Sequence, residues 1–244
     1  MPVRGQASRH SWVAWPRVHV GKGTGLTERH SAIVTGAAGG IGRDVAVRLA
    51  ADGYDIAFCD GKGTKGAVET AERIQDLGSK VFFSSCNVAD QDDADRFVRQ
   101  SARSLGPVSV LVNAAGIVLT DPSVTPPDDW GDVSDINLFG TFNLCRALVP
   151  MLIGRGDGAV VNLSSVSGRH DDADALARCS VVNTGIQGMS IALAKEVVRH
   201  GIRVNVVAPG LAGATGCGDE VAALVSFIVS GRAASLTGKV IYVA

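Results

Sequence analysis

Tyrosine occurs at only two of the 244 positions, Tyr54 and Tyr242, and aromatic residues of all kinds make up 5%. Any chemistry that needs a phenol must therefore use one of those two residues. The sequence also lacks a charge excess: its formal net charge is −1, which argues against nucleic acid or an anionic membrane as the main partner. No uninterrupted apolar run reaches the roughly 18 residues of a membrane span. The five cysteines, Cys59, Cys86, Cys145, Cys179 and Cys217, show no C-x-x-C spacing. An odd, scattered set of this kind reads as reduced thiols in a cytoplasmic setting, and it excludes a disulfide framework or a zinc site. Repeats and low-complexity tracts are absent as well.

A mass of 25.1 kDa with 46% hydrophobic and 19% charged residues suits one α/β domain. Charge is distributed unevenly. Residues 1–30 carry +4, and residues 31–244 carry −5. The first thirty residues hold Trp12 and Trp15, show no sustained helical or strand period, and contain no apolar core of a secretory signal. They read as a basic N-terminal extension: a partner-contacting arm, a transit-like segment, or translation begun too far upstream.

From residue 31 onward, short β-branched runs alternate with stretches of helical period. Strands are expected at 31–35, 55–59, 80–84, 108–112, 159–163, 202–207 and 240–243. Helices are expected over 41–52, 66–77, 90–105, within 128–154, around 175–200 and over 220–229. Seven strands alternating with helices imply right-handed crossovers and a doubly wound parallel sheet of the Rossmann type, a single domain over 31–244.

The segment Val34-Thr35-Gly36-Ala37-Ala38-Gly39-Gly40-Ile41-Gly42 joins the first strand to the first helix. A pyrophosphate needs backbone amides aimed at it from a helix N-terminus and a turn free of side chains. Gly36, Gly40 and Gly42, with Ile41 between, supply that. Asp60 ends the second strand, where a carboxylate can accept both adenosine-ribose hydroxyls and repel a 2′-phosphate. Asn87-Val88 follows the third strand, Asn113-Ala114-Ala115-Gly116 the fourth, and Asn162-Leu163-Ser164-Ser165 closes the fifth. The sixth runs through Val204-Asn205-Val206-Val207-Ala208-Pro209-Gly210. A second glycine-rich stretch, Gly21-Lys22-Gly23-Thr24-Gly25, follows no strand and is not read as a nucleotide site.

In this order, these motifs resemble the short-chain dehydrogenase/reductase family, in particular its branch of 3-oxoacyl-carrier-protein reductases. The resemblance spans 31–244. It implies a nicotinamide dinucleotide held by Gly36, Gly40, Ile41, Gly42, Asp60, Asn87, Val88, Asn113, Ala114, Gly116, Pro209 and Gly210, and an oligomer built on two long helices. Asp60 favours NAD(H) over NADP(H), although Lys62 and Lys65 stand nearby as possible receivers of a 2′-phosphate. The family usually has Asp where this chain has Asn87.

The resemblance also implies a catalytic set of Tyr and Lys in a Y-x-x-x-K pattern, an orienting serine and a relay asparagine. Ser165 and Asn137 match the last two. Aligning 184–190 with the family's next helix puts Cys179 at the tyrosine position and Asn183 at the lysine position. No tyrosine lies between Tyr54 and Tyr242, and both are expected far from the site. A thiol has suitable acidity but less reach than a phenol, and an amide supplies no cation to activate it. The loop before Cys179 contains His170 with Asp171, Asp172 and Asp174, a potential acid–base group whose spacing fits no standard metal loop. After Gly210 only residues 211–219 precede the next helix, too few for the family's substrate lid.

Three readings follow. The first is a degenerate family member with a retained dinucleotide site, acting as a non-catalytic partner of an active paralogue. The second is a repurposed non-redox enzyme, of dehydratase or cyclase type, using the 170–179 loop. The third is an NAD(P)-dependent ketoreductase with water-mediated proton transfer.

Overall fold

The sheet strands are apolar on both faces because helices cover both sides of a parallel sheet. The computed structural model describes residues 30–61, 64–117, 129–165, 177–210 and 217–243. Its strands are β1 (Ser31–Thr35), β2 (Asp55–Asp60), β3 (Val81–Ser85), β4 (Val108–Asn113), β5 (Gly158–Leu163), β6 (Ile202–Pro209) and β7 (Val240–Val243). They form one parallel sheet in the order β3-β2-β1-β4-β5-β6-β7. The order reverses between β1 and β4, which opens a crevice at the carboxyl ends of those strands.

Alternation along each strand divides the core. Ala32 and Val34 of β1 face one way with Ile56, Phe58, Val110 and Val112. They pack on α1 (Gly40–Ala51), α2 (Thr64–Asp76) and α7 (Cys217–Val229) through Val45, Leu49, Ile74, Val225 and Ile228. Ile33, Ala57, Leu111 and Val160 face the other way. They meet Phe97 of α3 (Gln91–Leu105), Leu148 and Leu152 of α5 (Gly140–Arg155), and Val197 of α6 (Ala177–Val197).

The seven-stranded, doubly wound architecture matches the sequence expectation, with two differences that bear on function. First, the helix expected within 128–154 is not uniform. A short α4 (Asp129–Val133) passes through a π-helical turn (Ser134–Phe139) before α5 begins, and the Gly140 amide donates to the Asp135 carbonyl. Apolar periodicity does not register one extra residue in a turn, so no pattern in the residues announces it. Second, α7 starts at Cys217 and not at 220, which shortens the connector after Gly210 to 211–216. Asp219 and Glu220 in its first turn favour the earlier start by facing the positive end of the helix.

The stretch Gly131–Arg155 is long and apolar enough to cross a membrane, with a mean hydropathy of 1.4. Its apolarity has a core explanation, because Leu144, Cys145, Leu148 and Leu152 are buried against the sheet.

Arg203 of β6 closes the far end of α7. Its guanidinium donates to the carbonyls of Ile228 (2.5 Å), Val229 (3.1 Å), Ser230 (3.4 Å) and Ala233 (3.1 Å). These include the last helix carbonyls, which have no intrahelical partner. Arg203→Met should lower unfolding free energy by about 2–4 kcal/mol in urea denaturation, and Arg203→Lys by less, because lysine keeps the charge but not the fork. At the other end of α7, Asp44 of α1 lies against Gly218. Burial raises its carboxyl pKa above the ordinary 3.8, and the charge of Asp219 adds to the rise. A raised native pKa means stability is lost as pH climbs through that value and is fully present below the unfolded value. Asp44→Asn should therefore raise the melting temperature at neutral pH, and the gain should disappear as the pH falls into the ordinary carboxylate range.

Candidate functional site

The glycine-rich turn lies at the crevice because its backbone touches both neighbouring strand ends. The Gly36 amide donates to the Cys59 carbonyl of β2 at 2.7 Å, and Ala38 N–H donates to Asp60 Oδ2 at 3.2 Å. On the β4 side, Thr35 Oγ1 accepts from the amides of Ala114 and Ala115, both at 3.0 Å. Gly36 has φ +71°, and a Cβ there would sit 2.7 Å from the Ala115 Cα. Only glycine satisfies both conditions. Gly40, Ile41 and Gly42 form the first turn of α1, whose N-cap, Gly39, offers no side-chain cap. That turn contains no acidic residue, so its amides suit a pyrophosphate.

Arg43, which the sequence reading passed over, locks this turn from behind. It donates to Thr70 Oγ1 (2.9 Å) and to the carbonyls of Ala38 and Gly66, and pairs with Glu69 at 3.4 Å. Thr70 Oγ1 in turn donates to the Ala37 carbonyl at 2.9 Å. The signal available in sequence was only that a basic residue follows the glycines.

Asn87 makes an Asx turn, its Oδ1 accepting from Ala89 N–H at 3.1 Å. Its own amide donates to Asp93 Oδ2 at 2.9 Å, which ties the loop to the start of α3. Val88 is buried, and Asn143 of α5 donates to the carbonyls of Val88 (3.0 Å) and Ala89 (3.2 Å). Gly36, Asp60, Asn87 and Val88, expected on the adenosine side, are thus held by backbone-directed bonds.

Beneath the crevice, Asn113 at the end of β4 donates to Asn162 Oδ1 of β5 at 2.8 Å. Asn162 donates to Ser190 Oγ of α6 at 2.8 Å. All three residues are buried, and Asn113 Oδ1 has no partner among the described residues. The Cys145 thiol packs beside this rung, and burial pushes its pKa up to about 12, so it remains neutral. Pro209 ends β6, and the Gly210 amide donates to the Val243 carbonyl at 2.7 Å.

Asn137, the expected relay asparagine, lies in the π-helical turn. Its Oδ1 accepts from Ile117 N–H (2.8 Å), its Nδ2 donates to the Ile117 carbonyl (3.0 Å), and its own carbonyl accepts from Thr141 Oγ1 (2.7 Å). The side chain is a two-point clamp on the residue after Gly116. Ser165 stands half-buried at the end of β5. Cys179 lies in the first turn of α6, but its side chain is outside the described residues, as are His170, Asp171, Asp172 and Asp174. Asn183 is one turn further along α6, half-buried, and Lys195 is in the last turn, exposed. Among the described residues no cluster of His, Cys, Asp or Glu could hold a metal ion.

One expectation needs correction. Tyr242 does sit in the last strand but is not remote from the site: its hydroxyl donates to Gln187 Oε1 of α6 at 3.4 Å, and Gln187 Nε2 donates to Ser164 Oγ at 3.2 Å. The expectation placed Tyr242 by its strand alone, and the long side chain reaches from the edge strand β7 to α6. Tyr54, by contrast, packs near His30 at the opposite end of the sheet, and burial raises its phenol pKa.

The turn geometry yields a paired prediction. Gly36→Ala should lower stability by more than about 2 kcal/mol and abolish dinucleotide binding. Gly39→Ala, where nothing lies within 4 Å of an added Cβ, should do neither. Thermal denaturation and calorimetric titration with NADH check both variants.

Comparison with known proteins agrees with this geometry. The short chain dehydrogenase family model matches residues 30–223. The 3-oxoacyl-[acyl-carrier-protein] reductase FabG of Staphylococcus aureus is 32% identical over 236 residues, covering 87% of this chain and 96% of its own. Acetoacetyl-CoA reductase of Allochromatium vinosum is 34% identical over 182 residues, 73% of each chain. Among solved structures, a variant of actinorhodin polyketide ketoreductase with NADPH superposes with a TM-score of 0.81 at 26% identity, covering 88% of this chain and 96% of its own. The glycine-rich turn at the switch point, the asparagine-bearing ends of β4 and β5 and the family match together establish that the chain belongs to the short-chain dehydrogenase family.

Proposed function

We propose that this protein binds a nicotinamide dinucleotide, NAD(H) in preference to NADP(H), and carries out no ketone reduction of its own. It would serve as the non-catalytic subunit of an oligomer with an intact reductase of the same family. The observation that carries the reading is Asn183. The motif alignment puts this neutral amide at the position of the family's lysine, whose cation would activate the proton donor, and Asn183 is bonded to Ser164. The nearest lysine on that helix, Lys195, is three turns further on and exposed. Cys179, at the tyrosine position of the alignment, is too short to replace a phenol.

The cofactor preference rests on Asp60. Its carboxylate faces the turn at Ala38, where a 2′-phosphate would meet a negative charge, and Arg43 is committed to Glu69 and to backbone carbonyls. The names of the relatives, reductases of acyl thioesters and a ketoreductase solved with NADPH, support a nicotinamide dinucleotide as the ligand class. The subunit role rests on the outer faces of α5 and α6 and the turn before them, where Phe139 (53%), Phe142 (47%) and Val181 (58%) are exposed. Exposed apolar side chains on these neighbouring segments support a protein contact there. A cytoplasmic location fits the four described cysteines, Cys59, Cys86, Cys145 and Cys217, all free thiols.

Water-mediated reduction is disfavoured because Asn137 is held by Ile117 and Thr141, and a water on the remaining lone pair of its carbonyl would have no lysine beside it to complete a relay. The expected result is calorimetric binding of NADH at least tenfold tighter than NADPH, with no NADH oxidation by 3-ketoacyl thioesters. Turnover by the purified wild-type chain overturns the reading. Equal affinity for both dinucleotides overturns the cofactor preference, and failure to co-purify with a family reductase on co-expression overturns the subunit role.

A further inference from the structure

The last strand reaches the site by two routes. Along the backbone, the Val243 carbonyl accepts from Gly210 N–H at 2.7 Å and holds the start of the connector after Pro209. Through side chains, the Tyr242 hydroxyl donates to Gln187 Oε1 (3.4 Å) and Gln187 Nε2 donates to Ser164 Oγ (3.2 Å). Ser164 Oγ then donates to the Asn183 backbone carbonyl (3.3 Å) and lies 3.5 Å from Asn183 Oδ1. All the donors point the same way, from the strand toward Asn183. An amide cannot pass a proton from its oxygen to its nitrogen without tautomerising, so the chain does not conduct protons. It can only fix positions.

What it fixes is set by the sheet order. Asp60 and Gly36 hold the adenosine side at β2 and β1, and Ser164 at the end of β5 is three strand spacings from β2, roughly 14 Å. That span suits the two ends of a dinucleotide lying across the switch point. Ser164 is also tied to β6 through its amide and the Val207 carbonyl at 2.9 Å. The Tyr242 chain therefore acts on the end of the site away from adenosine.

We propose that Tyr242 is a positioning residue for the nicotinamide half of the bound dinucleotide, acting through Gln187 and Ser164 on Asn183. This rests on the reading that the chain binds a nicotinamide dinucleotide. Removing the phenol oxygen frees Gln187 and loosens Ser164 and Asn183, while the glycine-rich turn, Asp60 and Arg43 are untouched.

The test compares NADH with ADP-ribose, which lacks the nicotinamide, by calorimetry on the full chain. Tyr242→Phe should weaken NADH binding about three- to tenfold, the effect of one neutral hydrogen bond, and leave ADP-ribose affinity unchanged. Gln187→Leu should give the same selective loss, and the double variant no more than either single change, because both break one chain. Unchanged NADH affinity in both variants, or parallel weakening of NADH and ADP-ribose, overturns the positioning role. If the wild-type chain binds neither ligand, it is the dinucleotide reading itself that fails.

Discussion

Everything at the crevice depends on one close approach, the glycine-rich turn lying against the backbone of β4. Gly36 has a left-handed φ of +71° and no room for a Cβ beside Ala115, so the turn can reach both β2 and β4 only as glycine. Once it is there, four bonds hold it: Gly36 to Cys59 and Ala38 to Asp60 on the β2 side, and, across the switch point, Thr35 to each of the two alanines of the β4 end. Arg43 and Thr70 then fix the turn from the α2 side. The first amides of α1 are thereby preorganised for an anion without any side-chain cap.

The other half of the crevice, under β4 and β5, is built differently. Its side chains are neutral amides and hydroxyls bonded mainly to one another, with Asn113 Oδ1 left without a partner among the described residues. Asn137 clamps Ile117, Asn113 reaches through Asn162 to Ser190, and Asn183 is reached from Tyr242 by way of Gln187 and Ser164. Arg43 and Arg203 are fixed by carbonyls elsewhere, and Lys195 is exposed at the end of α6. The family's binding scaffold is thus present alongside a polar network that holds shape more readily than it transfers protons.

Much of this was legible in the sequence. The strands of β1 and β7 fall at their expected bounds because β-branched runs between clear breakers leave little choice. The crevice position of the glycine-rich turn and of the strand-end Asp60, Asn113 and Asn162 was legible because glycine, aspartate and asparagine at strand ends have few other uses. Three features were not. The π-helical turn around Asn137 leaves the apolar period intact, and the earlier start of α7 puts Cys217 and Gly218 where hydropathy is neutral. The reach of Tyr242 to Gln187 joins residues 55 positions apart through one long side chain, which no local pattern encodes.

Under the proposed function, binding and chemistry are separated in this chain. The most direct measurement is a single-turnover experiment: wild-type protein in excess over NADH, mixed with a 3-ketoacyl thioester, with bound and oxidised dinucleotide quantified in the same sample. The account predicts that NADH is bound and remains reduced over many half-lives of a family reductase. Stoichiometric oxidation of the bound NADH would contradict it.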